Sequence, residues 1–159
     1  MSGGDRAKVM LKFAVLLEKN LERLMKLESV AMGLPVMLGP QFGALLPPVI
    51  RYYAGYCDKL DGEMLPEDGD GEYKLIRYES LGVCAGIAPW NFTLLFFCHK
   101  VAPAVAAGNT FIFKSSEKSP LGSLGLGELI VEGWLSTRNY QYHLLCRLYR
   151  CSFSISHGN

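Results

Sequence analysis

The 159 residues are half apolar and 19% charged, with a formal net charge of +1, a globular composition long enough to bury one domain's core. A chain this close to neutral offers no electrostatic basis for binding nucleic acid, and no apolar run reaches the roughly 18 residues of a membrane span. The five cysteines are irregularly spaced and the opening MSGGDRAK lacks the apolar core of a secretory signal, so reduced thiols in a cytoplasmic protein are expected.

Asp5 is expected to cap a first helix carrying Val9, Phe13, Leu16 and Leu17 on one face and Lys8, Lys12, Glu18 and Lys19 opposite. Asn20 should break or bend it. A second helix with Leu21, Leu24, Met25 and Leu27 then ends at Gly33, with Pro35 beyond. Residues 36–47 are rich in Gly and Pro and read as a loop, and Pro48 opens a helix to about Leu60. Its aromatic surface of Tyr52, Tyr53 and Tyr56 reads as packing, since no basic groove accompanies it.

The acidic stretch from Asp61 to Glu72 reads as a solvated hairpin loop. Asp68, Asp70, Glu72 and Glu79 fall at calcium-ligand spacing, but Tyr73 stands where such a loop needs glycine. From Tyr73 to Tyr78 neither alternating face is cleanly polar. That suits a strand covered on both sides, or one that meets another subunit.

The centre of the chain, Leu81 to Glu117, reads as one strand–helix–strand crossover of an α/β fold. Val83 to Ala88 are small or apolar, as in a buried parallel strand. Pro89 ends the strand, Asn91 can cap the helix from Phe92 to Val105, and Gly108-Asn109 turns into the strand Thr110–Phe113. Ser119-Pro120 opens a last helix to about Glu132. Polar residues collect after each strand, where open parallel sheets bind ligands.

APWNF (Ala88–Phe92), followed by KVAPAVAAGNTFIFKSSEKSP (Lys100–Pro120), resembles the aldehyde dehydrogenase superfamily. RYYAGYCDKLDGEMLPEDGD (Arg51–Asp70) is similar to the segment before that motif, and the resemblance covers most of Arg6 to Glu132. It implies residues 5–132 as part of a Rossmann-like, dinucleotide-binding parallel-sheet domain, with residues 73–80 as an oligomerisation strand. The implied reaction is NAD(P)-dependent oxidation of an aldehyde through a cysteine thioester.

Carried over by the resemblance, Asn91 donates its amide to the developing oxyanion, a role that a fixed neutral donor fills without reorganisation. Lys114 bonds the adenosine ribose hydroxyls with Ser116 and Glu117 beside it, and a carboxylate there favours NAD over NADP. Ile87, Ala88, Pro89 and Trp90 form the wall along the cofactor. From the residues alone, Asn91 also reads as a helix cap and Lys114 as a strand-end surface charge.

Thr93 and Ser115 stand where the family usually has proline, which loosens two ligand-placing loops. Gly122 and Gly125 weaken the last helix by up to about 1 kcal/mol each, and their spacing with Gly127 is not that of a phosphate loop. Asn91-Phe92-Thr93 spells a glycosylation sequon.

The resemblance stops near Gly133, before the family's nucleophilic cysteine and general-base glutamate. Cys84 in a strand and Cys98 in an apolar helix are expected to be buried and inert. Cys57 is remote from the site in the family layout, and Cys146 and Cys151 lie in residues 133–159, an unrelated tail with no placed base. His143, Cys146, Cys151 and His157 there fit no common zinc spacing, and a frameshift, a retained intron or a misplaced gene end accounts for such a tail. Two readings result: a fragment inactive on its own, or a non-catalytic partner that forms homo- or hetero-oligomers with a full-length relative.

Overall fold

The structure is a computed structural model, and it describes residues 1–66, 69, 71 and 73–134. The calcium-like positions Asp68, Asp70 and Glu72, and residues 135–159 of the expected tail, lie outside the described residues.

Helix α1 spans Gly3–Lys19 and α2 spans Leu21–Met32. The cap of α1 is Ser2 rather than Asp5: its Oγ accepts from the Asp5 amide at 3.2 Å and donates to the Asp5 carboxylate at 2.6 Å. Asp5 thus sits in the first turn, where a negative charge meets the positive end of the helix dipole. Asn20 separates the two helices, donating from Nδ2 to the Leu16 carbonyl. Gly33 ends α2 at φ 78° and returns its amide to the Ser29 carbonyl, a left-handed stop that costs glycine little.

Residues 36–47 are more ordered than a Gly- and Pro-rich composition suggests. A 3-10 turn at Val36–Leu38 leads into a short helix, α3 (Gly39–Gly43), and then α4 (Leu46–Ala54). Prolines near the starts of α3 and α4 explain this, because a missing N–H costs nothing in a first turn.

A hairpin of β1 (Glu63–Leu65) and β2 (Lys74–Ile76) follows, antiparallel with Met64 opposite Leu75. Among the described residues it is covered on neither face: Met64, Tyr73, Leu75 and Tyr78 are all exposed.

The central crossover forms as the sequence indicates. Strand β3 (Val83–Ile87), helix α5 (Thr93–Ala106) and strand β4 (Thr110–Lys114) make a parallel pair in register from Val83↔Thr110 to Ile87↔Lys114. Helix α6 (Pro120–Trp134) completes the unit. This is a partial Rossmann-like α/β domain. Phe111 and Phe113 turn inward from β4, and Phe97 of α5 meets Phe113 edge-on at 5.3 Å.

The core lies among the helices. Met10, Phe13, Leu17, Leu24, Leu46, Phe97 and Leu126 are all nearly inaccessible, where α1 packs on α4 and α6, and α2 on α6. One expectation fails here: β3 is not a buried strand. Val83 is 70% and Ile87 73% exposed, since α5 covers one face of the pair and no described residue covers the other. Small apolar side chains are common to strands buried on one face and on two, so composition could not separate them.

Candidate functional site

The carboxyl ends of β3 and β4 lie side by side, because Ile87 and Lys114 are register partners and the Ala88 amide donates to the Lys114 carbonyl at 2.9 Å. The two loops that leave them, residues 88–92 and 115–119, therefore open at one edge of the sheet. Thr93 and Ser119 stitch these loops together through hydroxyls 2.9 Å apart, both fully buried. The loosening expected from Thr93 in place of proline is offset by this bond.

On the β4 side, Lys114 Nζ pairs with Glu117 Oε2 at 3.2 Å, both side chains facing solvent. The Glu117 carboxyl is held below its ordinary value by its own backbone N–H first and by Lys114 second. Ser116 is committed to its loop, its Oγ accepting from the Lys118 amide at 3.2 Å. An exposed cation and carboxylate this close present a donor and an acceptor to a vicinal diol.

On the β3 side, Ile87, Pro89, Trp90 and Asn91 are exposed, whereas Ala88 is buried. The expected wall is thus made by its neighbours and by backbone, not by the Ala88 methyl. Asn91 does not cap α5. The residue before the helix is Phe92, held at φ 74°, and it gives the helix no side-chain cap. A bulky residue in the left-handed region costs about 1–3 kcal/mol, so the surroundings must hold it there. The Phe92 amide donates to Met32 Sδ at 3.1 Å and its ring meets Phe42 edge-on at 5.5 Å.

The capping group comes from another helix. Glu28 of α2, with no exposed surface, accepts from the Leu94 amide through Oε1 at 3.0 Å. Burial pushes its carboxyl up from 4.5 to about 7, with the Leu94 N–H pulling the other way. Oε2 is buried with no hydrogen-bond partner among the described residues. Gly122 makes the room, since a Cβ on it would collide with the Glu28 carboxylate. Gly125 likewise lets Leu24 and Leu27 approach within 2.9 Å of where its Cβ would sit. Both glycines therefore serve helix contact.

At the far end of α5, Arg6 donates to the Ala106 carbonyl at 3.2 Å and to the Cys57 carbonyl at 2.9 Å. A carboxylate at the amino end and a guanidinium at the carboxyl end both complement the helix dipole. Neither residue was singled out from the sequence. Glu28 left one signal: it continues the spacing of Leu21, Leu24 and Met25, an acid on an apolar stripe.

None of the described cysteines resembles an activated thiol. Cys98 is buried and its thiol is pushed up to about 12, and burial raises Cys57 as well despite Arg6 nearby. Cys84 is half-buried rather than enclosed. No cluster of metal-ligating side chains and no helix long and apolar enough to cross a membrane occur among the described residues.

The chain is similar to known proteins of one family. The model of the "Aldehyde dehydrogenase family" matches residues 1–135. Aldehyde dehydrogenase family 2 member B4, mitochondrial, of Arabidopsis thaliana is 41% identical over 140 residues, 85% of this chain and 25% of that protein. Human retinal dehydrogenase 2 is 42% identical over 135 residues, 83% of this chain and 26% of its own length. Among solved structures, PnpE of Pseudomonas sp. WBC-3, crystallised with nicotinamide adenine dinucleotide, superposes with a TM-score of 0.80 at 36% identity. That match covers 84% of this chain and 28% of PnpE. The chain thus spans about a quarter of the length of these relatives.

Proposed function

The chain belongs to the aldehyde dehydrogenase family, and from that premise we propose that residues 5–132 hold the adenosine end of an NAD site and the oxyanion donor of aldehyde oxidation. The observation that carries this reading is the side-by-side placement of the Asn91 loop and the Lys114–Glu117 pair beyond adjacent parallel strands. Lys114 donates to a ribose hydroxyl and Glu117 accepts from its neighbour. The Glu117 charge repels a 2′-phosphate, which favours NAD over NADP. Bound there, NAD supplies the hydride acceptor. Asn91 donates its side-chain amide to the oxygen of an aldehyde as negative charge develops on it, and losing such a donor costs about 3 kcal/mol of barrier.

These 159 residues are inactive on their own in this reading. Buried Cys57 and Cys98 support it. The test is the purified chain with NAD and a panel of aldehydes, monitored for NADH. No turnover is expected, while weak NAD binding lost in Lys114→Ala supports the site. Sustained turnover abolished by Asn91→Ala would overturn the claim of inactivity. The free thiols of the described cysteines are consistent with a cytoplasmic location.

The exposed β1–β2 hairpin favours a second reading, a non-catalytic partner that pairs through residues 73–80 with a full-length relative. Its apolar side chains and open edge suit strand addition. Co-purification with a tagged relative is expected, and association untouched by Ile76→Pro would sink the strand-pairing model.

A further inference from the structure

We propose that Glu28 is a positioning residue for Asn91, acting through the first turn of α5. Only two residues, Phe92 and Thr93, lie between Asn91 and Leu94, and that stretch has no side-chain cap of its own. Besides the Phe96 amide on the Phe92 carbonyl, the bonds that hold that stretch come from neighbouring elements. Glu28 Oε1 takes the Leu94 amide and Met32 Sδ the Phe92 amide, both from one face of α2 one turn apart. Thr93 between them is pinned to Ser119. The left-handed Phe92 that turns Asn91 outward is thereby held against its own preference.

An acceptor oxygen reaching in from α2 suits this work better than a local cap. It meets the amino end of a 14-residue helix, where unpaired amides carry partial positive charge. It also arrives on a helix locked in the core by Leu24 and Met25, so the loop inherits the rigidity of α2. The missing side chain at Gly122 is the complementary half of the arrangement, since any Cβ there would displace the carboxylate.

The functional meaning rests on reading Asn91 as the oxyanion donor, but the placement can be measured without any ligand. Uniformly 15N-labelled full chain is compared with Glu28→Leu, Glu28→Asp and Glu28→Gln by amide exchange and by the Asn91 side-chain NH2 resonances. Gln keeps an acceptor oxygen in place, Asp withdraws it by one methylene, and Leu removes it while filling the space. In the Leu and Asp variants, Leu94 exchange should rise at least tenfold and the Asn91 resonances should move toward those of a free asparagine. Phe97 and Leu126 amides should keep their protection, and Gln should restore both readouts.

Asn91 and Leu94 signals unchanged in Leu or Asp would overturn the proposal. So would equal loss of protection at Phe97 and Leu126, which would make Glu28 merely structural. Should the Leu variant not fold, the contrast between Asp and Gln decides, and identical behaviour of the two counts against it. Failure of the chain to bind NAD would remove the proposed site but leave this result standing.

Discussion

Glu28 Oε1 and the Leu94 amide, 3.0 Å apart across 66 residues, join the second helix to the first turn of the helix that follows the candidate catalytic loop. Their bond joins the two halves of the chain, and its energetics depend on pH in an unusual direction. Folding raises the Glu28 carboxyl from 4.5 to about 7, so between those values the folded state binds the extra proton. The contribution of Glu28 is then greatest below pH 4.5 and is lost as pH rises through 7, opposite to a carboxylate stabilised in its charged form. The Glu28 contribution should fall by about 3 kcal/mol across that window. Urea unfolding at pH 5 and pH 8 checks this: Glu28→Gln should gain on the wild type as pH rises, and a constant difference would refute it.

Gly122→Ala should destabilise the chain, although alanine is better than glycine in a helix by about 1 kcal/mol. The added methyl must displace the Glu28 carboxylate, and overpacking of this kind costs about 1–3 kcal/mol. A net loss of about 1 kcal/mol is expected from these opposing terms. In a double-mutant cycle with Glu28→Ala the two losses should fail to add, with a coupling of about 1 kcal/mol.

Arg6→Ala removes the donor shared by the Ala106, Cys57 and Met1 carbonyls. Hydrogen bonds from a charged donor are worth about 1.5–3 kcal/mol each, and partial exposure reduces the sum, so a loss of about 2–4 kcal/mol is expected. Arg6→Lys should recover only part of it, because one ammonium cannot span carbonyls from two elements. Denaturant midpoints measure both.

Much of this frame was legible beforehand, and the exceptions have physical reasons. Asn20, Gly33 and Gly108-Asn109 mark element ends through local backbone chemistry, and the structure ends its elements there. The crossover was legible because strand, helix and strand differ in period and in side-chain type. Glu28 was not, since one acid on an apolar stripe signals burial without naming its distant partner. The Asn91 cap failed for the same reason: a short polar residue before a helix predicts local capping, and here a tertiary contact supplies it. The short helices within 36–47 were hidden because Gly and Pro punctuate both loops and helix starts.

Alkylation of the native chain at pH 8, read cysteine by cysteine by mass spectrometry, should modify half-buried Cys84 before Cys57 and Cys98. Cys98, with a thiol near 12, should be silent until the chain unfolds. Rapid labelling of Cys98 in the folded state would contradict its packing.

Glu117→Gln removes the charge that disfavours a 2′-phosphate while keeping an acceptor for a hydroxyl. Binding measured by resonance perturbation should lose about tenfold of its preference for NAD over NADP. An unchanged ratio would show that Glu117 does not select between them.

The nearly inaccessible side chains sit mostly in helices, while β3 and β4 are two strands with one face bare among the described residues. Opening free energies within one molecule follow such differences, from near zero at poorly covered segments to the global value in the core. The parallel pair should therefore unzip in excursions that leave α1, α2 and α6 intact. A molecule gripping Lys114 and Glu117 would then suppress those excursions as well as stabilise the whole fold by mass action. Hydrogen exchange at Phe111 and Phe113 is the assay that would place its effect on the parallel pair.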